Sequence, residues 1–202
     1  GPSESWCTKT GLLGANRFRE LVEAKFFDDT RFYRVTITWL VQFGINGDPD
    51  VTRNMTVKIQ DDPPKVSNQI GYLSYAKGPF PDTRTTQVFV NMNHNVALDK
   101  QGFAPFAEVE GDGLEVLKQV YVCGDKPRQR NGQAEGNKYF DENFPELSRI
   151  VTARIEEIPE SWVLVLLHMG QEVLRELQEV LYRLLGLAPY AIDTVGDSQG
   201  EL

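Results

Sequence analysis

At 202 residues, with 41% hydrophobic and 25% charged residues, the chain shows ordinary globular usage and has room for one sizeable domain and a tail. Its formal net charge of -8 argues against a nucleic-acid ligand, because phosphate binding draws on clustered Lys and Arg. The longest apolar run, Trp162 to Leu167, falls far short of the ~20 residues that cross a bilayer, so a soluble protein without a transmembrane segment is expected, in the cytosol or an organelle interior.

Cys7 and Cys123 are too few for a disulfide framework, and His94 and His168 lie far from each other and from both thiols, so no metal site is expected. The chain opens Gly1-Pro2-Ser3 with no Met, as a processed or tagged product would. An irregular segment is expected over 1–11. From Asn16 to Ala24, Phe18, Leu21 and Val22 fall at helical spacing between polar residues, which predicts a short amphipathic helix. After an Asp28-Asp29 turn, the β-branched and aromatic run Arg31 to Gln42 reads as strand, closed by a loop over Gly44 to Pro49.

Further short strands are expected at Thr56–Ile59, Gly71–Ala76, Gln87–Asn91, Phe106–Val109 and Ile150–Ile155. A second helix is expected over Gly113–Tyr121 and a polar loop over Gly124–Gly136. Many short strands with few helices suggest a barrel or sandwich ending near Glu156. Beyond it, an extension over 157–190 carries an apolar stripe of Val173, Leu174, Leu177, Val180, Leu181, Leu184 and Leu185, the pattern of an amphipathic helix. A polar tail over 191–202 is expected to be disordered.

Three stretches, in this order, resemble the cyclophilin-type peptidyl-prolyl cis-trans isomerases in their divergent, bacterial-like branch. They are Phe26 to Val35 continuing to the Val41-Gln42-Phe43-Gly44-Ile45-Asn46-Gly47-Asp48-Pro49 run, then Gly71 to Ala76 with Thr83 to Asn91, then Leu98 to Gly111. The late Gln133-Ala134-Glu135-Gly136-Asn137 and Phe144-Pro145 are also similar. The resemblance spans roughly 12–156. It implies a mainly β fold, a closed antiparallel barrel capped by two helices, with the C-terminal helix outside the family core.

It also implies a reaction. Rotation about an Xaa-Pro bond breaks amide resonance, with a barrier of ~18–20 kcal/mol, and in this family an arginine guanidinium stabilises the twisted amide. The matching residue is Arg34. By the same resemblance the substrate site comprises Trp39, Leu40, Gln42, Ala76, Lys77, Gln87, Phe89, Leu98 and Phe103. The proline ring would lie among Trp39, Leu40, Phe89, Leu98 and Phe103, while Gln42, Gln87 and the Ala76 backbone would hold the peptide. No cofactor is implied, and the partners are proline-containing peptides or proteins.

The chain departs from the family pattern at several points. Ile37-Thr38-Trp39-Leu40 stands where most members have Pro-Gly-Phe-Met, so a larger indole is expected to narrow the pocket. Lys77 replaces a usual asparagine, the Gly78 to Asp82 stretch is one residue longer, and Ala97 occupies the position of an indole associated with cyclosporin binding. Two strands that precede the family's first helix have no clear counterpart, and Trp162–Leu167 is one candidate to replace them. These departures leave two functions open. One is an Xaa-Pro isomerase, and the other a weakly active or inactive cyclophilin-like domain serving as a structural subunit, with helix Val173–Leu185 docking a protein partner.

Overall fold

The computed structural model describes residues 12–156, and the expectations for the N-terminal segment, Trp162–Leu167, the helix at Val173–Leu185 and the polar tail lie outside them. Helix α1 (Leu12–Glu23) forms where the helical spacing predicts it. It buries Leu21 and Val22 completely and packs Phe18 against Phe27 and Phe106 at ring distances of 5.1 and 5.4 Å. The helix stops at Lys25, whose φ of 57° is left-handed. There the Phe26 N–H donates to Leu21 O and the Lys25 N–H to Val22 O, both at 2.9 Å, which satisfies the last carbonyls in a Schellman arrangement. That turn drives Phe26 and Phe27 into the core.

The run expected as one strand from Arg31 to Gln42 is broken into three. β1 (Thr30–Arg31) pairs with β7 (Arg149–Ile150), while β2 (Arg34–Thr36) and β3 (Leu40–Phe43) form a hairpin. The hairpin turns over Ile37-Thr38-Trp39, closed by the Trp39 N–H donating to Thr36 O at 2.8 Å. No Gly, Pro, Asn or Asp marks this turn, so period-2 patterning reads straight through it. Pro49, by contrast, opens helix α2 (Pro49–Met55). Asp48 at its N-cap accepts from the Asp50 N–H at 2.8 Å, a cap-then-proline start at the end of the expected Gly44–Pro49 loop.

The remaining elements are β4 (Tyr72–Tyr75), β5 (Val88–Asn91), a 3-10 turn at Val96–Gln101, β6 (Pro105–Glu108), and helices α3 (Gly113–Leu117), α4 (Gln129–Glu135) and α5 (Asn137–Asn143). Helix α3 ends earlier than expected, α4 arises within the stretch expected as a polar loop, and α5 follows directly after it. The Thr56–Ile59 strand reduces to one bridge between Ile59 and Arg84. Five helices among the described residues replace the expected pair.

β2 to β6 form one antiparallel sheet in the order β2-β3-β5-β4-β6, with β1 and β7 separate. The expected closed barrel is therefore corrected to an open sheet among the described residues. β2 and β6 stand at opposite ends and do not pair. The outer edge of β2 is met by a loop instead, through the bridge Val35–Gly124, and β6 rests against α1 through Phe106 and Phe18. The bridge engages edge groups of β2 that a barrel would pair.

The sheet separates two clusters by alternation. Val35, Val41, Phe43, Leu73, Tyr75, Val88 and Val90 face the main core, while Leu40, Phe89 and Leu98 form a second buried cluster with Trp39, Ala76 and Phe103 packed on it. Because both faces of the sheet are covered, β3 and β5 are buried at every position, the situation in which strands lose their polar alternation.

Candidate functional site

Cross-strand register assembles the site. Arg34 lies opposite Gln42, Gln42 opposite Phe89, and Phe89 opposite Ser74. One row across four strands thus carries a cation, an amide and an aromatic ring on the face of the second cluster. There a cleft of about 350 Å³ is lined by Arg34, Trp39, Leu40, Gln42, Ala76, Lys77, Phe89, Leu98, Gln101, Phe103 and Gln129, within the range of small-ligand pockets. Nine of the ten expected site residues are brought together in this lining.

Gln87 is the tenth, and it stands behind the wall. Its Oε1 accepts from Gln42 Nε2 at 3.1 Å and from the Tyr33 hydroxyl at 2.7 Å. Burial holds the Tyr33 phenol far above its ordinary value, so it remains a proton donor to Gln87. Gly44 makes this arrangement sterically feasible. Its φ is +105°, and a Cβ there would lie 2.3 Å from Thr86 O, so only glycine lets the segment bearing Gln87 approach β3.

Arg34 is held on three sides. Its Nε donates to the Asp125 carboxylate, its Nη1 donates to Gln42 Oε1 at 3.3 Å, and its guanidinium carbon lies 4.5 Å from the centre of the Trp39 ring. Its side chain is 23% exposed, enough for solvent or a ligand to reach it. Trp39 is a wall of the cleft beside the arginine, and the cleft stays open next to it. Gln42 is buried, with its Oε1 accepting from Arg34 and its Nε2 donating to Gln87. The amide therefore orients the guanidinium from below.

The opposite wall is apolar and braced. Phe89 and Phe103 meet edge to face at 5.8 Å, a favoured aromatic geometry. Leu98 lies within the 3-10 turn and Phe103 follows it, and Asp99 ties that turn down. Asp99 accepts from the Ser67 hydroxyl, from the Asn68 N–H at 2.9 Å and from Asn68 Nδ2 at 2.7 Å. Asn68 Nδ2 also donates to Phe103 O at 2.9 Å. Burial pushes the Asp99 carboxyl up, but the Ser67 and Asn68 donors outweigh it and hold it below the ordinary range.

Lys77 forms the corner. Its Nζ pairs with Asp61 Oδ2 at 2.9 Å and lies 5.7 Å from the Phe103 ring centre. It also lines a neighbouring cleft of about 470 Å³ with Gly78, Pro79, Phe80, Pro81, Gln101 and Phe103. The Ala76 N–H is engaged by Gln87 O at 2.9 Å. Ala97 is exposed on the 3-10 turn and is not part of the lining.

Sequence reasoning missed Asp125, Gln101 and Gln129. Gln101 lies inside the Leu98 to Gly111 stretch that carries the resemblance, so its position was the available signal. Asp125 comes from the loop that follows α3 and Gln129 from the first position of α4; both reach the cleft only through tertiary folding, and no local pattern marks them. Among the described residues no group of three or more His, Cys, Asp or Glu is placed to hold a metal. No helix among them is long and apolar enough to cross a membrane.

Comparison with known proteins bears on this geometry. The family model described as cyclophilin type peptidyl-prolyl cis-trans isomerase/CLD matches residues 13–135. A cyclophilin-type peptidyl-prolyl cis-trans isomerase from Cryptosporidium parvum is similar at 18% identity, covering 76% of this chain and 89% of that one, with a TM-score of 0.55. The same protein in the presence of the dipeptide Ala-Pro is similar at 20% identity over 60% of this chain and 81% of that one, with a TM-score of 0.48. The cyclophilin AquaCyp293 from Hirschia baltica follows at 15% identity over 60% and 63% of the two chains, with a TM-score of 0.47. No curated protein matches the chain.

Proposed function

This chain belongs to the cyclophilin-type peptidyl-prolyl cis-trans isomerase family, and we propose that it rotates Xaa-Pro bonds of protein clients by arginine-assisted twisting of the amide at Arg34. The cyclophilin-like domain in this reading is 12–156. The observation that carries it is the placement of one guanidinium at the rim of a cleft walled by Leu40, Phe89, Leu98, Phe103 and Trp39.

The chemistry follows from what rotation requires. A planar amide delocalises the nitrogen lone pair into the carbonyl, and twisting returns that pair to nitrogen. An apolar wall such as Leu40, Phe89, Leu98 and Phe103 takes up the pyrrolidine ring and excludes water from the polarised planar amide. A guanidinium N–H at the rim donates to the peptide as the lone pair localises, a preorganised donor aimed at charge that develops only in the transition state. Rotation makes and breaks no covalent bond, so the arginine need not transfer a proton. The Ala76 backbone would meet a client peptide through its carbonyl, since its N–H is engaged by Gln87.

The alternative, a structural subunit, rests on the N-terminal strands that lack a counterpart and on Val173–Leu185, both outside the described residues, and nothing in the cleft favours it. Exchange NMR on an Xaa-Pro peptide tests the reading. Wild type should accelerate exchange, and Arg34→Ala should reduce kcat/KM by about 100-fold, the scale of losing one oxyanion-type donor. Wild-type protein that leaves the peptide's exchange rate unchanged would remove the isomerase reading.

A further inference from the structure

Arg34 meets its acidic partner through backbone register. The outer edge of β2 carries one bridge to the loop that follows α3. In it the Val35 N–H donates to Gly124 O at 3.2 Å, and the Gly124 N–H donates to Val35 O at 2.9 Å. In an antiparallel pair, the neighbours of two directly opposed residues also oppose one another, so residue 125 is brought against residue 34. Gly124 takes a φ of +62°, a backbone state that favours glycine and shapes the loop at this point. Asp125 is placed against the arginine by the main chain, before any side-chain choice is made.

The guanidinium contacts then divide cleanly. Nε donates to Asp125 Oδ1, Nη1 to Gln42 Oε1 at 3.3 Å, and the face stacks on Trp39. Among the described residues, no hydrogen bond engages Nη2. The Gln42 contact is long and the Trp39 contact is non-directional, so neither alone fixes rotation about the bond to Nε. A carboxylate on Nε does, because the guanidinium fork is planar and its five donors move as one body.

We infer that Asp125 is a positioning residue for the reaction, fixing the rotamer of Arg34 so that Nη2 remains presented to the client amide. The inference rests on the isomerase reading of the cleft. Asp125 is 66% exposed, and exposed ion pairs contribute little to stability. Its effect is therefore confined to geometry at the reacting bond, and its removal should leave the fold intact.

Asp125→Ala and Asp125→Asn in the full chain test this, read by exchange NMR with an Xaa-Pro peptide, thermal melting and the Nε–H resonance of Arg34, assigned by its loss in Arg34→Lys. In the Ala variant kcat should fall about tenfold, inside the ~100-fold range that misplacing a catalytic group reaches, with KM and Tm unchanged. The Asn variant keeps an acceptor for Nε and should recover part of the loss. The Nε–H resonance should move and exchange faster with water in the Ala variant. Wild-type kcat in the Ala variant, or a loss expressed only in KM or only through a lowered Tm, overturns the inference. If wild type is inactive, the isomerase reading fails by itself, and the Nε–H resonance still decides whether Asp125 holds the guanidinium: no change in the Ala variant says that it does not.

Discussion

Arg34 and Gln42 face each other across the β2–β3 hairpin, and the Arg34 Nη1 donates to the Gln42 Oε1 at 3.3 Å. The amide can accept from the arginine only while its Nε2 is turned to Gln87, and Gln87 in turn is occupied by the Tyr33 hydroxyl. The posture of the guanidinium thus draws on a chain of three side chains, of which Gln42 lines the cleft while Gln87 and Tyr33 do not.

Gln42→Ala breaks that chain at its first link. Stability should fall by about 1–2 kcal/mol, the cost of leaving buried partners unsatisfied, as read from urea unfolding. Isomerase activity should fall further than that stability loss explains, by about tenfold in kcat at a temperature where the variant is folded. Full kcat in a folded Gln42→Ala protein would mean that Arg34 holds its posture without the amide.

Trp39 offers the second test, since its ring stacks on Arg34 and walls the cleft at once. Trp39→Phe keeps a π face and should retain most activity, whereas Trp39→Ala loses a cation–π contact worth ~0.5–1 kcal/mol at a partly exposed site and should reduce kcat/KM several-fold. Identical kcat/KM for both variants and wild type would reduce the stacking to an incidental contact.

What the sequence made legible follows from the range of each signal. Alternation and β-branching located β3, β4, β5 and β6, and helical spacing located α1, because those signals are local. The turn at Ile37-Thr38-Trp39 was hidden, since none of its residues carries turn chemistry, and α2 went unread just after the expected Gly44–Pro49 loop although Asp48-Pro49 marks its start. The cleft lining was legible through resemblance, residue by residue, but its assembly depends on register: Gln42 meets both Arg34 and Phe89 only because β3 lies between β2 and β5. Asp125 was invisible because its proximity to Arg34 is created by a long-range bridge. The open sheet likewise depends on which edges pair, a property of the whole molecule that no segment encodes alone.

Asp99 gives a pH-dependent prediction. Its folded carboxyl is held below its ordinary value of 3.8 by Ser67 and Asn68 despite burial, so its contribution is fully present above the unfolded value and is lost as pH falls through the lower folded value. Acid unfolding should therefore steepen below about pH 4, near the ordinary Asp range. Asp99→Asn should flatten that limb while costing stability at neutral pH, and Asp99→Ala should cost about 2–4 kcal/mol, since hydrogen bonds to a charged group are lost. Circular dichroism melts between pH 3 and 7, roughly bracketing the Asp range, provide the measurement. An unchanged acid limb in Asp99→Asn would assign the acid sensitivity to other carboxylates.

Arg84 carries the largest stability prediction. It is 2% exposed, its Nη1 lies 3.0 Å from Asp62 Oδ2, its Nε 3.2 Å from Asp61 Oδ1, and its Nη2 donates to Gln60 O. Asp62 also accepts from the Leu13 and Gly14 N–H groups at the start of α1, at 3.2 and 2.9 Å, and Asp61 holds Lys77 at the corner of the cleft. Removing this one cation leaves the buried Asp62 without its counter-ion, while Asp61 keeps Lys77, so Arg84→Ala should cost about 3–5 kcal/mol, the scale of breaking a buried pair from one side. Arg84→Met combined with Asp61→Asn and Asp62→Asn removes the stranded charge and should recover much of that loss, because replacing a buried ionic group as a whole costs far less than orphaning its partners. Urea unfolding of the single and triple variants decides the matter. A triple variant no more stable than Arg84→Ala would show that the network stabilises through the arginine's packing against Tyr75, whose ring centre lies 5.6 Å from the guanidinium carbon, and not through its charge.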